Sequence, residues 1–337
     1  MKQNIIHKQK LAIIIMLFFA FAVLLALADR APLHLEKHCP CVHLRADVTI
    51  YINGVTQLTS PGPHVYRIFL PYLVTGLHSI FSFLSLVDID LFLKIFFLII
   101  CQLTFYYYLR NFFSILVSLT GVFILDILLS FTFSSIIGPS IGENADLLNL
   151  AIFVLALNAL YKNSFGLVLV LLFIGTFNRE TTWFLIPIIF LHDFFLKKNM
   201  YGSLLASLAV AIPYFGLRII IRPSVPGWFT FEGIIRNIPF LSPETTANAL
   251  RANVHTAVLL GPLIILSLLD FKKHPHFLRI ASYITPLFVV LHYIFGTIIE
   301  TRLWLPLFIL LIPLALSTLI LMFNIKSLPS SDYLQAH

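Results

Sequence analysis

The stretch LFLKIFFLIICQLTFYYYL, residues 91–109, decides the architecture. It carries one charge, Lys94, and one amide, Gln102, in nineteen residues. Apolar and polar positions do not alternate, which excludes the strand pattern of a membrane β-barrel. About 20 mostly apolar residues suffice to cross the hydrocarbon core as a helix, which satisfies its own backbone hydrogen bonds. Runs of the same kind recur at 11–28, 112–137, 147–161, 164–177, 182–196, 202–220, 254–271, 280–298 and 303–323. The runs of 14–15 residues are short for a full crossing, so their edges are expected to shift by a few residues. The 337-residue chain is 59% hydrophobic and 11% charged, against roughly 25% charged in soluble domains. No water-soluble core could absorb so much apolar sequence. The fold class expected is an all-α polytopic membrane protein of about ten transmembrane helices, one transmembrane domain over residues 1–337.

Charge then orients the chain. The formal net charge of +7 does not imply nucleic-acid binding, because Lys and Arg lie in ones and twos between apolar runs. That scatter is the mark of membrane topology. Segment 66–86 is apolar enough to span but holds Pro71, Gly76 and His78. If it stays outside as an interfacial helix, eleven cations against three anions fall on the cytoplasmic side and eleven against eleven on the outer side. If it crosses, the Lys197-Lys198 and Lys272-Lys273 pairs move outside, against the positive-inside tendency. The first arrangement is therefore expected: both termini cytoplasmic, a long first outer loop at 29–90 carrying the interfacial helix, and a second large outer loop at 221–253. Residues 11–28, behind Lys2, Lys8 and Lys10, end in a signal-like Ala-Leu-Ala and are expected to remain as a signal-anchor helix. Cys39 and Cys41 are too close for an easy disulfide, and no Cys/His quartet suggests zinc.

With this topology the polar clusters gather on the outer face. They are Arg45-Ala46-Asp47 with His64-Val65-Tyr66-Arg67, then Gly142-Glu143-Asn144-Ala145-Asp146, Asn178-Arg179-Glu180-Thr181 and Glu300-Thr301-Arg302. Charges at a membrane edge snorkel to the interface, or else they pair and line a cavity. The guanidinium fork grips phosphate oxygens bidentately, which makes Arg67, Arg179 and Arg302 the candidates for a donor phosphate. Transfer to a hydroxyl needs a carboxylate to take its proton. Asp47 is the first candidate and Asp146 the second. His64, Glu180 and Glu300 are expected to orient these groups.

A first span, a long outer loop with an early Asp, an interfacial helix and a run of spans resemble the GT-C superfamily of polyprenol-dependent membrane glycosyltransferases. The stretch Tyr66-Arg67-Ile68-Phe69-Leu70-Pro71-Tyr72-Leu73 looks like a Tyr-Arg-led segment of its bacterial members. Arg179-Glu180-Thr181 and Glu300-Thr301-Arg302 are similar to their Arg-Glu-Thr and Glu-x-Arg motifs. The resemblance implies that an acidic residue of the first outer loop, here Asp47, is the base. The chain departs from that pattern in having no Asp-x-Asp soon after the first span; Asp88-Ile89-Asp90 comes late. No metal or cofactor is expected. The implied activity is sugar transfer from a polyprenyl-phosphate donor to a glycan, lipid or protein acceptor on the outer face of the bacterial inner membrane. Membrane lipids are the other expected partners, and nucleic acid is not one. A transporter or flippase of a lipid-linked or anionic solute is the main alternative, ahead of a glycan polymerase or ligase and a structural subunit.

Overall fold

In a computed structural model of the chain, residues 13–26, 44–60, 64–133, 143–197, 200–221, 237–238, 246–296, 298 and 301–323 are described, and every regular element among them is helical. The helices are α1 (Ile13–Ala26), α2 (Leu44–Thr56), α3 (Phe69–Ile80), α4 (Leu86–Leu109), α5 (Ile115–Phe133), α6 (Glu143–Tyr161), α7 (Phe165–Asn178), α8 (Leu185–His192), α9 (Tyr201–Ile220), α10 (Thr246–Leu268), α11 (His276–Ser282), α12 (Thr285–Phe295) and α13 (Leu305–Met322). Among the described residues, six helical stretches are long and apolar enough to cross a membrane by length and composition: Ile115–Thr132, Asn144–Tyr161, Tyr201–Ile220, Ala249–Leu268, His276–Phe295 and Thr301–Met322. Helices α1, α3 and α7 are apolar but shorter. The architecture is that of a multi-pass helical membrane protein.

Two apolar runs are less uniform than the sequence suggested. The run 280–298 is divided between α11 and α12, and Pro286 sits in the first turn of α12. Proline has no N–H to bond back into the preceding turn, so it starts a helix more easily than it continues one. The run 182–196 begins as a 3-10 helix at Glu180–Phe184, continues as α8 and closes in a π-helical turn, Asp193–Lys197.

Segment 66–86 is not one helix. It comprises the end of a 3-10 turn at His64–Tyr66, the 12-residue α3 and a bend over 81–85. At about 1.5 Å per residue α3 is roughly 18 Å long, short of a ~30 Å hydrocarbon core. Ser85 then opens α4 with a capping box: its Oγ accepts from the Asp88 N–H and the Asp88 carboxylate accepts from the Ser85 N–H, each at 3.2 Å. Asp90 accepts from Asn144 Nδ2 at 2.6 Å. Asp88 thus begins a helix, and Asp90 ties that helix to the start of α6.

The core is built on α6 and α13, whose spans are 78% and 83% buried inside the protein. Helix α6 packs against α4 and α7, α9 lies on α7, and α5, α10 and α11 lie on α13. The spans of α9 and α10 are only 28% and 33% buried. Ile212, Phe215, Ile219 and Ile220 of α9 are 55–79% exposed. Such a face would be an aggregation liability in water, whereas lipid tails solvate it as well as a leucine side chain does.

Candidate functional site

The site is organised by the end of α7. Asn178 closes that helix, and Arg179 follows with extended backbone (φ −159°, ψ 140°) before the 3-10 turn at Glu180–Phe184. This break lets the neighbouring side chains of Arg179 and Glu180 reach different partners. Arg179 pairs with Asp146 in the first turns of α6, both side chains no more than 4% exposed. Glu180 pairs with Arg67. The turn is fastened to α6 from several sides. Asn178 Nδ2 donates to the Ala145 carbonyl at 2.7 Å. Asn149 Nδ2 donates to Thr181 Oγ1 at 2.9 Å, and Thr182 Oγ1 donates to Asn149 Oδ1 at 2.8 Å. Gly175 allows this approach, since a Cβ there would lie 2.8 Å from Thr182 Oγ1.

Arg302 reaches the same carboxylate. It lies in the 3-10 turn Thr301–Trp304, and its Nη1 is 3.6 Å from Asp146 Oδ2. Trp304, fully buried, anchors that turn through Nε1, which donates to the Ile298 carbonyl at 3.4 Å. Asn237 supports it from outside the motif. Its Nδ2 donates to the carbonyls of Tyr293 at 3.0 Å and Gly296 at 2.7 Å, and its Oδ1 accepts from the Ile298 N–H at 3.0 Å. One amide thereby satisfies the carbonyls left open where α12 ends. A small cleft opens beside the shared carboxylate, lined by Asp146, Asn149, Arg179, Thr181, Arg302 and Pro306, among others.

Arg67 precedes α3 and grips Glu180 with both arms of its fork: Nε donates to Oε2 at 3.1 Å, and Nη2 donates to Oε1. Burial opposes ionisation of Glu180, but the Arg67 guanidinium outweighs it and holds the carboxyl down at about 2. His64 Nδ1 stands 3.5 Å from Arg67 Nη1. Burial, reinforced by the Arg67 charge, lowers the imidazole to about 4, so it is neutral at physiological pH. Tyr51 of α2 stands edge-on to the His64 ring, with centroids 6.3 Å apart. Its hydroxyl is buried, with no hydrogen-bond partner among the described residues. Burial raises its pKa against the opposing charges of Arg67, Arg179 and Arg302, which all act on this one phenol.

The structure therefore brings Arg67, Arg179, Arg302, Asp146, Glu180 and His64 into one neighbourhood from four separate parts of the chain. Among the described residues, three guanidiniums and two carboxylates meet there. Asp47 lies in the first turns of α2, four residues before Tyr51, so the two positions share a helix face; its side chain lies outside the description. Glu300 lies outside the described residues. Among the described residues no group of three or more His, Cys, Asp or Glu could hold a metal ion.

Sequence reasoning missed Asn237, an amide set among the apolar residues of Ile234-Ile235-Arg236-Asn237-Ile238 with no motif around it. It also missed the stack around Arg218, whose guanidinium carbon lies 3.5 Å from the Tyr214 ring centroid and 4.3 Å from that of Tyr66. The four-residue spacing of Tyr214 and Arg218 was legible as a same-face helical pair, but Tyr66 comes from far away. No family model, curated protein or solved structure matches the chain.

Proposed function

We propose that this chain is a membrane glycosyltransferase of the GT-C kind, moving a sugar from a polyprenyl-phosphate donor to an acceptor on the outer face of a bacterial inner membrane. The observation that carries the reading is the sharing of one buried carboxylate, Asp146, by Arg179 and Arg302 at the edge of a cleft. Two guanidiniums converge on this point at the cleft, and the guanidinium fork matches the oxygens of a phosphate diester. Arg67, held by Glu180, adds a third donor group beside it. In this arrangement Asp146 serves best as the counter-ion that sets the arginines, because its oxygens already face guanidiniums. The proton from the acceptor hydroxyl then goes to Asp47, one helical turn before the buried Tyr51 hydroxyl.

The topology proposed with this function has about ten spans, α3 as an interfacial helix of the first outer loop, and both termini in the cytoplasm. It rests on the excess of cations in the alternate loops. The rival reading, a transporter or flippase of a lipid-linked or anionic solute, draws on the interrupted helices at 179–197 and 282–285, since broken helices often form transport sites.

One substitution separates the two readings. Asp47→Asn keeps the side-chain shape and removes the base. Sugar transfer by the purified variant should fall by roughly 10²–10⁴-fold with donor binding retained. Parental turnover in the variant would remove Asp47 from the mechanism. Lipid movement without any sugar transfer, equal in parent and variant, would favour the transporter.

A further inference from the structure

Arg218 occupies the last turn of α9, and its guanidinium carbon lies over two aromatic rings. The Tyr214 ring centroid is 3.5 Å away and that of Tyr66, brought in by the 3-10 turn before α3, is 4.3 Å away. Trp183 packs edge-on against Tyr214, with centroids 4.8 Å apart, and its buried Nε1 donates to no group among the described residues. The carboxylates of the neighbouring site are engaged elsewhere: Glu180 by Arg67, and Asp146 by Arg179 and Arg302. Among the described residues no carboxylate pairs with Arg218. One of its N–H groups meets the Tyr214 carbonyl at 3.3 Å.

The geometry restricts what such a cation can recognise. A guanidinium donates only in its own plane. Two aromatic rings packed against it restrict its movement, so little side-chain freedom is lost when a ligand binds. The group that matches a fixed planar fork is a tetrahedral or trigonal oxyanion approached edgewise.

We propose that Arg218 is a second oxyanion-binding subsite, distinct from the Asp146 cleft, that takes a phosphate group in the plane of its guanidinium. The phosphate comes either from a lipid headgroup or from free phosphate in solution, and the chemistry of recognition is the same for both. This inference does not depend on sugar transfer being the reaction; it stands on the Tyr66–Arg218–Tyr214 stack alone.

The test reads binding rather than turnover. Purified protein in phosphate-free dodecyl maltoside micelles is treated with phenylglyoxal, which modifies accessible arginines, and modification of Arg218 is followed by peptide mass spectrometry. One arm adds inorganic phosphate, and the other adds phosphatidic acid to the micelles. At least one arm is expected to slow modification of Arg218 by about tenfold or more, and which arm does so identifies the source of the phosphate. No protection in either arm overturns the proposal. In parallel, Trp fluorescence titration with the protecting probe should give a Kd about tenfold weaker in Arg218→Gln. It should also be weaker in Tyr66→Leu, which keeps the charge but removes one ring of the stack. Parental affinity in both variants overturns the subsite. Should Arg218→Gln fail to fold, the protection assay on the parent protein decides the matter.

Discussion

Asp146 is a single carboxylate serving two guanidiniums, and its burial makes it a structural commitment as well as a chemical one. Removing one partner of a buried ion pair costs about 3–5 kcal/mol, because the charge left behind stays desolvated. Asp146→Asn should therefore lower the thermal unfolding midpoint in detergent by several degrees, whereas Asp47→Asn should leave it near parental. An unchanged midpoint for Asp146→Asn would show that the cluster is not a stabilising unit. His64 gives a second test. Its imidazole takes a proton at about 4 in the folded protein and near 6.5 once unfolded. The unfolded chain therefore binds the proton first as pH falls. The His64 contribution to stability is intact above pH 6.5, is lost between 6.5 and 4, and changes no further below that. Across this window the unfolding midpoint of His64→Gln should fall less than that of the parent; equal slopes would exclude His64 as a source. Arg67, Arg179 and Arg302 were legible in the sequence because each stands in a short charged motif between apolar runs. The shared use of Asp146 was not, because it depends on the extended backbone at Arg179 directing that side chain back toward α6.

At the scale of elements, the sequence located most helices and missed where they break. Hydropathy sums over a window, so it cannot see that Pro286 divides one apolar run in two, or that Ser85 and Asp88 cap α4 at Leu86, ahead of the apolar run at 91–109. The same limit applies to α3. Its 12 residues are too few to cross a bilayer unaided, and the topology proposed from the charge distribution keeps it outside. In a background without native cysteines, single cysteines at positions 88 and 198 should be labelled by an impermeant reagent from opposite sides, 88 from the outer and 198 from the cytoplasmic side. The reverse result would mean that α3 is part of a crossing and that every later loop is inverted.

For the whole molecule, the arrangement is two buried helices, α6 and α13, surrounded by helices that turn apolar side chains outward. The polar exceptions concentrate where α6 starts, where α7 ends and just ahead of α13. The fold thus draws together charges from residues 67, 146, 179, 180 and 302 that composition alone records as scattered. Anchors such as Asn237 and Trp304 hold that assembly through backbone carbonyls, contacts with no signature in sequence. We propose that this assembly holds a polyprenyl-phosphate donor. The most direct measurement is mass spectrometry of the lipids that co-purify with the parent protein and with Arg302→Gln. The account predicts a polyprenyl phosphate, with or without its sugar, in the parent and at least about tenfold less in the variant. Bulk phospholipid alone in the parent, or the same polyprenyl content in both proteins, would contradict it.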